Sequence, residues 1–282
     1  MAFITPDEFE YIAGFIYRKT GIRYEFKKLY FLSKRVQKRM EELGFETTDD
    51  YIRKLRFADP EQKEFQLLLN LLTINETYFF RDYPQLQAFA ENCLPELLEK
   101  KEAEGNRRIR IWSAGCASGE EPYTIAIILM EMTEEPAKWQ IEITASDIDM
   151  NMIEKTKRAV YEDRSIRDVP KEYLERYFIK TGKQYRICNE IRSMVRLEHL
   201  NLGNREGLRD KRGFDVIFCR NVLIYFDDIS RKQLVDQFYV SLNPGGYIFL
   251  GSSESVGRIS TAFKLKRMGD YLVYYKEEEK KQ

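Results

Sequence analysis

The segment Ile111-Trp-Ser-Ala-Gly-Cys-Ala-Ser-Gly-Glu-Glu121 constrains the fold more than any other part of the chain. An apolar run passes into a turn of small residues and then into the apolar stretch Pro122–Met132, which reads as strand, tight turn and helix. The motif recurs. Ile141–Ser146 reads as a strand ending in Asp147-Ile148-Asp149, with a helix from about Met150 to Val160. Phe214–Cys219 is a strand, Ser230–Leu242 a helix and Gly246–Leu250 a strand. Such alternation predicts an α/β fold with a mainly parallel sheet covered on both faces. Phe263–Arg267 and Tyr271–Tyr275, around Met268-Gly269-Asp270, form a hairpin that adds an antiparallel strand. Tyr177–Ile179, Gln184–Cys188 and Met194–Leu197 are short strand-like runs, predicting a small antiparallel β insertion at about 175–197.

The opening 72 residues are different in kind. Thr5-Pro6-Asp7-Glu8 is a helix start and Gly21 a stop. From about Lys27 to Leu43, residues Leu29, Leu32, Val36, Met40 and Leu43 fall on one narrow helical stripe. Gly44 ends that helix, Thr47-Thr48-Asp49-Asp50 starts another, and a further one runs from about Asp59-Pro60 to Leu72. The expected division is a helical domain over 1–72, a connection over 73–92 and an α/β domain over 93–282. The charged run Lys276–Gln282 reads as a solvated, frayed tail.

Acidic and basic side chains balance at 46 each, which argues against a general polyanion binder. Cys93, Cys116, Cys188 and Cys219 make no CxxC pair, so neither a zinc site nor a disulfide framework is expected. No apolar run is long enough to span a bilayer, and the first residues lack the order of a signal peptide. A cytoplasmic protein with no membrane insertion is the expectation.

In an open α/β sheet, ligands bind beyond the carboxyl ends of the strands. The turn Ser113–Gly119 sits at such an end, and its small residues, Gly115 among them, let backbone approach a ligand. Glu120 and Glu121 disfavour a phosphate there but suit a ligand carrying an ammonium group. Adjacent helix positions point differently, so the sequence leaves open which of the two makes the contact. Asp147 stands where an acceptor for a ribose diol belongs, with a helix N-cap as the alternative reading. Arg220-Asn221 follows the Phe214–Cys219 strand, at the lip where a reacting group lies.

These stretches resemble the CheR-type chemotaxis receptor methyltransferases. The matching runs are Thr73-Ile-Asn-Glu-Thr-Tyr-Phe-Phe-Arg81, Trp112 to Thr124, Ser146-Asp-Ile-Asp149, Phe218-Cys-Arg-Asn-Val-Leu-Ile-Tyr-Phe226 and Gly251-Ser-Ser-Glu254. They recur in order over nearly the whole chain. The resemblance implies a Rossmann-like sheet dependent on S-adenosylmethionine (SAM), with S-adenosylhomocysteine (SAH) as product and chemoreceptor glutamates as acceptors. It implies cofactor contacts from Asn75, Thr77 and Arg81, then Glu121 at the methionine portion and Asp147 at the ribose. Asn201, Leu202, Arg220 and Asn221 would flank the adenine and sulfonium regions. Tyr225 would lie near the transferred methyl, and Arg81 and Tyr225 would orient the acceptor carboxylate. One departure is Ser252, where the family often has histidine.

A glutamate is already ionised near neutral pH, its reference pKa being about 4.3, so its methylation needs no general base. The single histidine, His199, is accordingly read as structural. Lys27, Lys28, Lys34, Arg35, Lys38 and Arg39 cover an arc away from the apolar stripe of their helix. By resemblance this face docks the acidic methylation helices of chemoreceptors, with Lys28, Arg35, Lys38 and Arg39 as the docking set. Charge reversal at Arg35 and Arg39 is expected to weaken receptor methylation and leave SAM affinity unchanged. Nucleic acid is the weaker reading, since few aromatics are interleaved. The short turn Thr181-Gly182-Lys183-Gln184 argues against use of a receptor C-terminal tethering peptide. The rival readings are a methyltransferase of other specificity and a SAM-fold module without chemistry.

Overall fold

The computed structural model describes residues 4–255 and 260–278. The last residues of the expected frayed tail, 279–282, lie outside the described residues. So do the first three residues, read above for a signal.

Helix α1 (Pro6–Thr20) begins at Thr5, whose hydroxyl accepts from the Glu8 amide while the Glu8 carboxylate accepts from the Thr5 amide. Gly21 ends it with a left-handed φ of 72°. A 3₁₀ turn, Phe26–Lys28, precedes α2 (Leu29–Leu43), so the helix proper starts slightly later than the periodicity indicates. Then come α3 (Thr48–Phe57) and α4 (Lys63–Leu72). The last starts after Asp59-Pro60 because the Asp59 carboxylate stays outside and accepts from the Glu64 and Phe65 amides. The apolar stripes meet in one core, with Phe9, Ile16, Leu32, Val36, Tyr51 and Leu68 fully buried. Ile148, from beyond the connection, packs against it.

After an irregular segment over 73–82, α5 (Tyr83–Ala88), a π turn (Phe89–Cys93) and α6 (Leu94–Ala103) form one unbroken helical run. Leu86, Phe89, Cys93 and Leu94 are buried in the same core as the central strands. The division expected at 92/93 therefore cuts a helix whose apolar face belongs wholly to the sheet.

The α/β part opens with β1 (Arg108–Ala114), α7 (Glu120–Met132), β2 (Gln140–Asp147) and α8 (Met150–Arg158). A short excursion follows: β3 (Val160–Glu162), α9 (Asp163–Ile166), α10 (Lys171–Tyr177), β4 (Phe178–Thr181), β5 (Gln184–Ile187) and α11 (Asn189–Ser193). The chain returns through β6 (Val195–His199), α12 (Arg205–Leu208), β7 (Phe214–Cys219) and α13 (Asp228–Ser241). It finishes with β8 (Leu242–Leu250), β9 (Lys264–Met268) and β10 (Tyr271–Tyr275).

The main sheet runs β6-β2-β1-β7-β8-β10-β9. Its pairs from β6 to β8 are parallel, and the closing hairpin adds two antiparallel strands. Strand order reverses between β1 and β7, which opens a crevice at their carboxyl ends.

The insertion is antiparallel as expected, but its position is corrected. Its strands are β3, β5 and β4, so it spans 160–187 rather than about 175–197. Two strands alone are marginal, and the third comes from the segment just after α8, where Ala159 turns the chain with a φ of 51°. The Met194–Leu197 run belongs instead to β6, paired from Ile143↔Val195 to Asp147↔His199. There Val195 and Leu197 pack on Ala145 and Ile153, which fixes that edge strand to the main sheet.

Candidate active site

A cavity of about 270 Å³ lies at the carboxyl ends of β1, β2 and β7, in the crevice where strand order reverses. Asn75, Thr77, Arg81, Gly115, Glu121, Asp147, Asn201, Leu202, Arg220, Asn221 and Tyr225 all line it. The helical domain supplies one wall through Thr20, Ile22, Tyr24 and Leu72.

The floor is the β1–α7 turn. Gly115 has a φ of 85°, and a Cβ there would lie 2.4 Å from Val222 Cγ2, so only glycine fits. Ala117 is also left-handed, at φ 46°, and its amide donates to Asp147 Oδ2 at 2.8 Å. The other oxygen, Asp147 Oδ1, accepts from the Asp149 amide at 2.9 Å. Each carboxylate oxygen keeps lone-pair capacity for a ligand. Asp147 is not the helix cap: Asp149 caps α8 by accepting from the Asn151 amide.

Glu121 and Glu120 have different environments. Glu121 lines the cavity, accepting from Ser113 Oγ at 2.7 Å and from Arg220 Nη1 at 3.2 Å. Glu120 turns away to Ser118 and Ser165. Burial pushes the Glu121 carboxyl above its ordinary range, opposed by Arg220 and Ser113. Burial raises Asp147 likewise, against the two backbone donors.

Arg220 holds the lip together. Its guanidinium also donates to the Arg81 carbonyl at 2.6 Å and to Asp82 Oδ2 at 2.9 Å, while its Nε is buried with no acceptor among the described residues. Asn221 is left-handed at φ 59°. The Glu254 carboxylate accepts from the amides of Asn221, Gly251 and Ile224, fixing the turn that carries Tyr225. Phe80 and Asp82 are left-handed as well, at 59° and 56°. Non-glycine residues in this region cost about 1–2 kcal/mol each, and such strain clusters at functional sites.

The connecting segment reaches in from one side. Asn75 and Thr73 both donate to Asp149 Oδ2, at 2.9 and 2.6 Å, while Thr77 lines the wall. Arg81 is half-buried, its Nη1 donating to the Glu76 carbonyl. The Tyr225 hydroxyl lies 3.4 Å from the Ile74 carbonyl, and burial raises its pKa against the nearby Arg81. Asn201 bridges the domains by donating to the Lys19 carbonyl at 2.7 Å, beside the buried Leu202. His199 meets the Ile148 carbonyl at 2.9 Å and does not line the cavity.

The docking set divides. Lys28 and Lys38 are exposed on the α2 side of the helical domain. Arg39 is buried instead, bound to both oxygens of Glu64, one of which also accepts from Tyr51. Its assignment to docking is therefore corrected: the stripe is wider than the apolar residues alone indicate, and a buried carboxylate on α4 draws the guanidinium inward. Arg35 is half-buried, stacked 3.9 Å over the Phe31 ring.

Sequence reasoning gave no role to Glu254, Asp149 or Val222, although all three stand in the matching runs, and missed Tyr24 altogether. The Asp147–Asp149 spacing held a signal for the cap. Tyr24 carried none, because it comes from the other domain.

A doubly wound sheet, a glycine-cradled strand end and two buried carboxylates in one cavity wall, able to accept from an ammonium group and from hydroxyls, fit one cofactor chemistry. Leu200 and Leu202 give an apolar slot for a base. Fold and donor set together define a SAM-dependent methyltransferase. The chain belongs to the CheR methyltransferase family, matching its SAM-binding domain over residues 75–272 and its all-alpha domain over 7–73. It is 42% identical to chemotaxis protein methyltransferase 2 of Vibrio cholerae over 97% of this chain and 94% of that protein. It is 33% identical to the chemotaxis protein methyltransferase of Borreliella burgdorferi, over 90% and 89% of the two chains. An O-methyltransferase family protein from Burkholderia thailandensis aligns in structure over 81% of this chain and 64% of its own, with 13% identity and a TM-score of 0.42.

Proposed function

We propose that this protein transfers the methyl group of SAM to ionised glutamate side chains of chemoreceptors, forming methyl esters. The observation that carries the reading is the cavity itself: it has carboxylates for a cationic cofactor, Arg81 and Tyr225 in its wall, and, among the described residues, no histidine or lysine in its lining. SAM, when bound, supplies a methyl group activated on a sulfonium.

Glu121 holds the ammonium group and Asp147 the ribose hydroxyls. Leu202 packs on the adenine with Asn201 beside it, and Gly115 lets the backbone approach. Arg220 and Asn221 flank the sulfonium region, while Asn75 and Thr77 close the cavity from the connecting segment. Arg81 and Tyr225 orient the acceptor carboxylate. No proton moves, so rate comes from positioning and from excluding water. Arg81 shares its charge with the Glu76 carbonyl, which limits how far it blunts the nucleophile.

The helical domain docks the receptor and the α/β domain does the chemistry. Lys28 and Lys38 on α2 face the acidic methylation helices, with Arg35 at the margin. The turn between β4 and β5 is only Gly182-Lys183, which supports a protein that works without a receptor tethering peptide. Peptide titration showing tight binding would overturn that point. Among the described residues no helix is long and apolar enough to cross a membrane, in keeping with a cytoplasmic enzyme.

The test is incubation with methyl-labelled SAM and a chemoreceptor cytoplasmic fragment. The label is expected in the receptor and released by mild base, as an ester requires. Base-stable label would mean nitrogen or sulfur methylation and would overturn the reading.

A further inference from the structure

Arg35, Tyr24 and Tyr225 lie along one stretch of backbone. Arg35 Nε donates to the Leu71 carbonyl at 3.4 Å, the Tyr24 hydroxyl to the Leu72 carbonyl at 3.2 Å, and the Tyr225 hydroxyl to the Ile74 carbonyl at 3.4 Å. The first two side chains are joined through Phe31. The Arg35 guanidinium sits 3.9 Å over the Phe31 ring, which stacks on Tyr24 at 6.3 Å and 14°. From the other side Asp149 accepts from Thr73 and Asn75. The segment 71–75 is thus clamped by the helical domain on one flank and by α8's cap on the other.

This clamp stands at the opening of the cofactor cavity. An outer groove shares Ile22, Tyr24, Leu72, Ile74, Tyr225 and Phe226 with that cavity, so the two meet at a collar of these side chains. The collar is tied across the domains, because the Arg23 amide donates to the Tyr225 carbonyl at 3.0 Å and Ile22 bridges to Phe226. Lys27 and Lys28 also line the groove, together with Glu25, Asp227 and Asp228.

We propose that Tyr24 and Arg35 are positioning residues for methyl transfer: their stack with Phe31 holds the segment 71–75, and through it Tyr225, at the collar where the acceptor carboxylate enters. The inference rests on the role given above to Tyr225. It changes the part played by Arg35, which acts through the stack and contributes little as a charge on the docking face. The long contacts of 3.2–3.4 Å suit a clamp that lets Tyr225 exchange the Ile74 carbonyl for the acceptor.

The experiment measures kcat and receptor KM with the full chain, alongside SAH affinity by calorimetry and thermal stability. The variants are Arg35→Lys, Arg35→Gln, Tyr24→Phe, Tyr24→Leu and Tyr225→Phe. A planar stack is lost in Arg35→Lys while the charge is kept. The expected result is a fall of about tenfold in kcat for Arg35→Lys, Arg35→Gln and Tyr24→Leu, with SAH affinity and KM within about twofold. Tyr24→Phe keeps the ring stack but loses the hydroxyl's bond to the Leu72 carbonyl, and a fall of about threefold in kcat, smaller than that of Tyr24→Leu, is expected. Full activity in Arg35→Lys, or a rise in KM alone, would make Arg35 a docking charge and overturn the proposal. A parallel loss of SAH affinity in Tyr24→Leu would make Tyr24 only a cofactor wall and overturn it too. Unchanged kcat in Tyr225→Phe would instead sink the reading of Tyr225 on which the inference stands. Tyr24→Phe and Arg35→Lys alter few atoms, so they decide the matter even if Tyr24→Leu fails to fold.

Discussion

Two buried arginines, one in each domain, use the same chemistry for different ends. In the helical core, Arg39 meets both oxygens of Glu64, and Tyr51 donates to the same carboxylate. That cluster is closed on itself, with Glu42 as a further partner of Arg39, and none of its members lines the cofactor cavity. At the lip of the α/β domain, Arg220 meets Glu121, Asp82 and a carbonyl, yet both Arg220 and Glu121 face the cavity. A closed cluster holds a core in register. An open one keeps capacity for a ligand and accepts a cost in stability for it, which the raised Glu121 pKa reflects.

The comparison breaks most visibly at Arg39. Arg39→Ala leaves Glu64 buried and uncompensated, and a loss of about 3–5 kcal/mol in unfolding free energy is expected from denaturant melts. SAH affinity of the folded fraction should be unchanged; a selective loss of SAH binding with normal stability would contradict the division. Asp147→Asn should act in the opposite sense. It weakens SAH by about ten- to a hundredfold, the equivalent of a charged hydrogen bond worth about 1.5–3 kcal/mol, with a smaller loss of stability of about 1–3 kcal/mol, because the new amide nitrogen cannot accept from the Ala117 or Asp149 amide.

Smaller effects sharpen the picture. Lys28→Glu with Lys38→Glu should raise receptor KM about three- to tenfold at low salt and less as salt screens the contact, with SAH affinity constant. A salt-independent effect would argue against docking by charge. The pH dependence has a definite sign. Burial raises the Glu121 and Asp147 carboxyls, so both are ionised only above their shifted values. SAH affinity should decline on acidification before an ordinary carboxylate, near about 4.3, begins to protonate. A profile flat down to about that pH would show that neither group meets the ammonium or the diol through its charge.

The doubly wound sheet was legible because strand and helix alternate with different periods and small residues mark the first turn. The cofactor-side residues were legible for the same reason, since each follows a strand: Gly115, Asp147 and Arg220 had positions that the pattern dictates. What the pattern could not carry was anything set by contact between distant segments. Arg39 reads like its neighbours Lys38 and Arg35 until Glu64, on another helix, draws it inside. The run Val195–His199 alternates like the strands of the insertion, and only its pairing with β2 assigns it elsewhere. Glu120 and Glu121 are adjacent and identical in type; the helix rotation between them separates one bound to Ser118 and Ser165 from one lining the cavity.

The most direct measurement is calorimetric titration of SAH into wild-type protein, Glu121→Gln and Arg39→Gln, with unfolding free energies taken on the same samples. Glu121→Gln is expected to lose about ten- to a hundredfold in affinity with stability held or slightly raised, because a buried charge is removed. Arg39→Gln is expected to lose stability and keep affinity. If Glu121→Gln bound SAH as tightly as the wild type, the open cluster at Arg220 would be as structural as the closed one at Arg39.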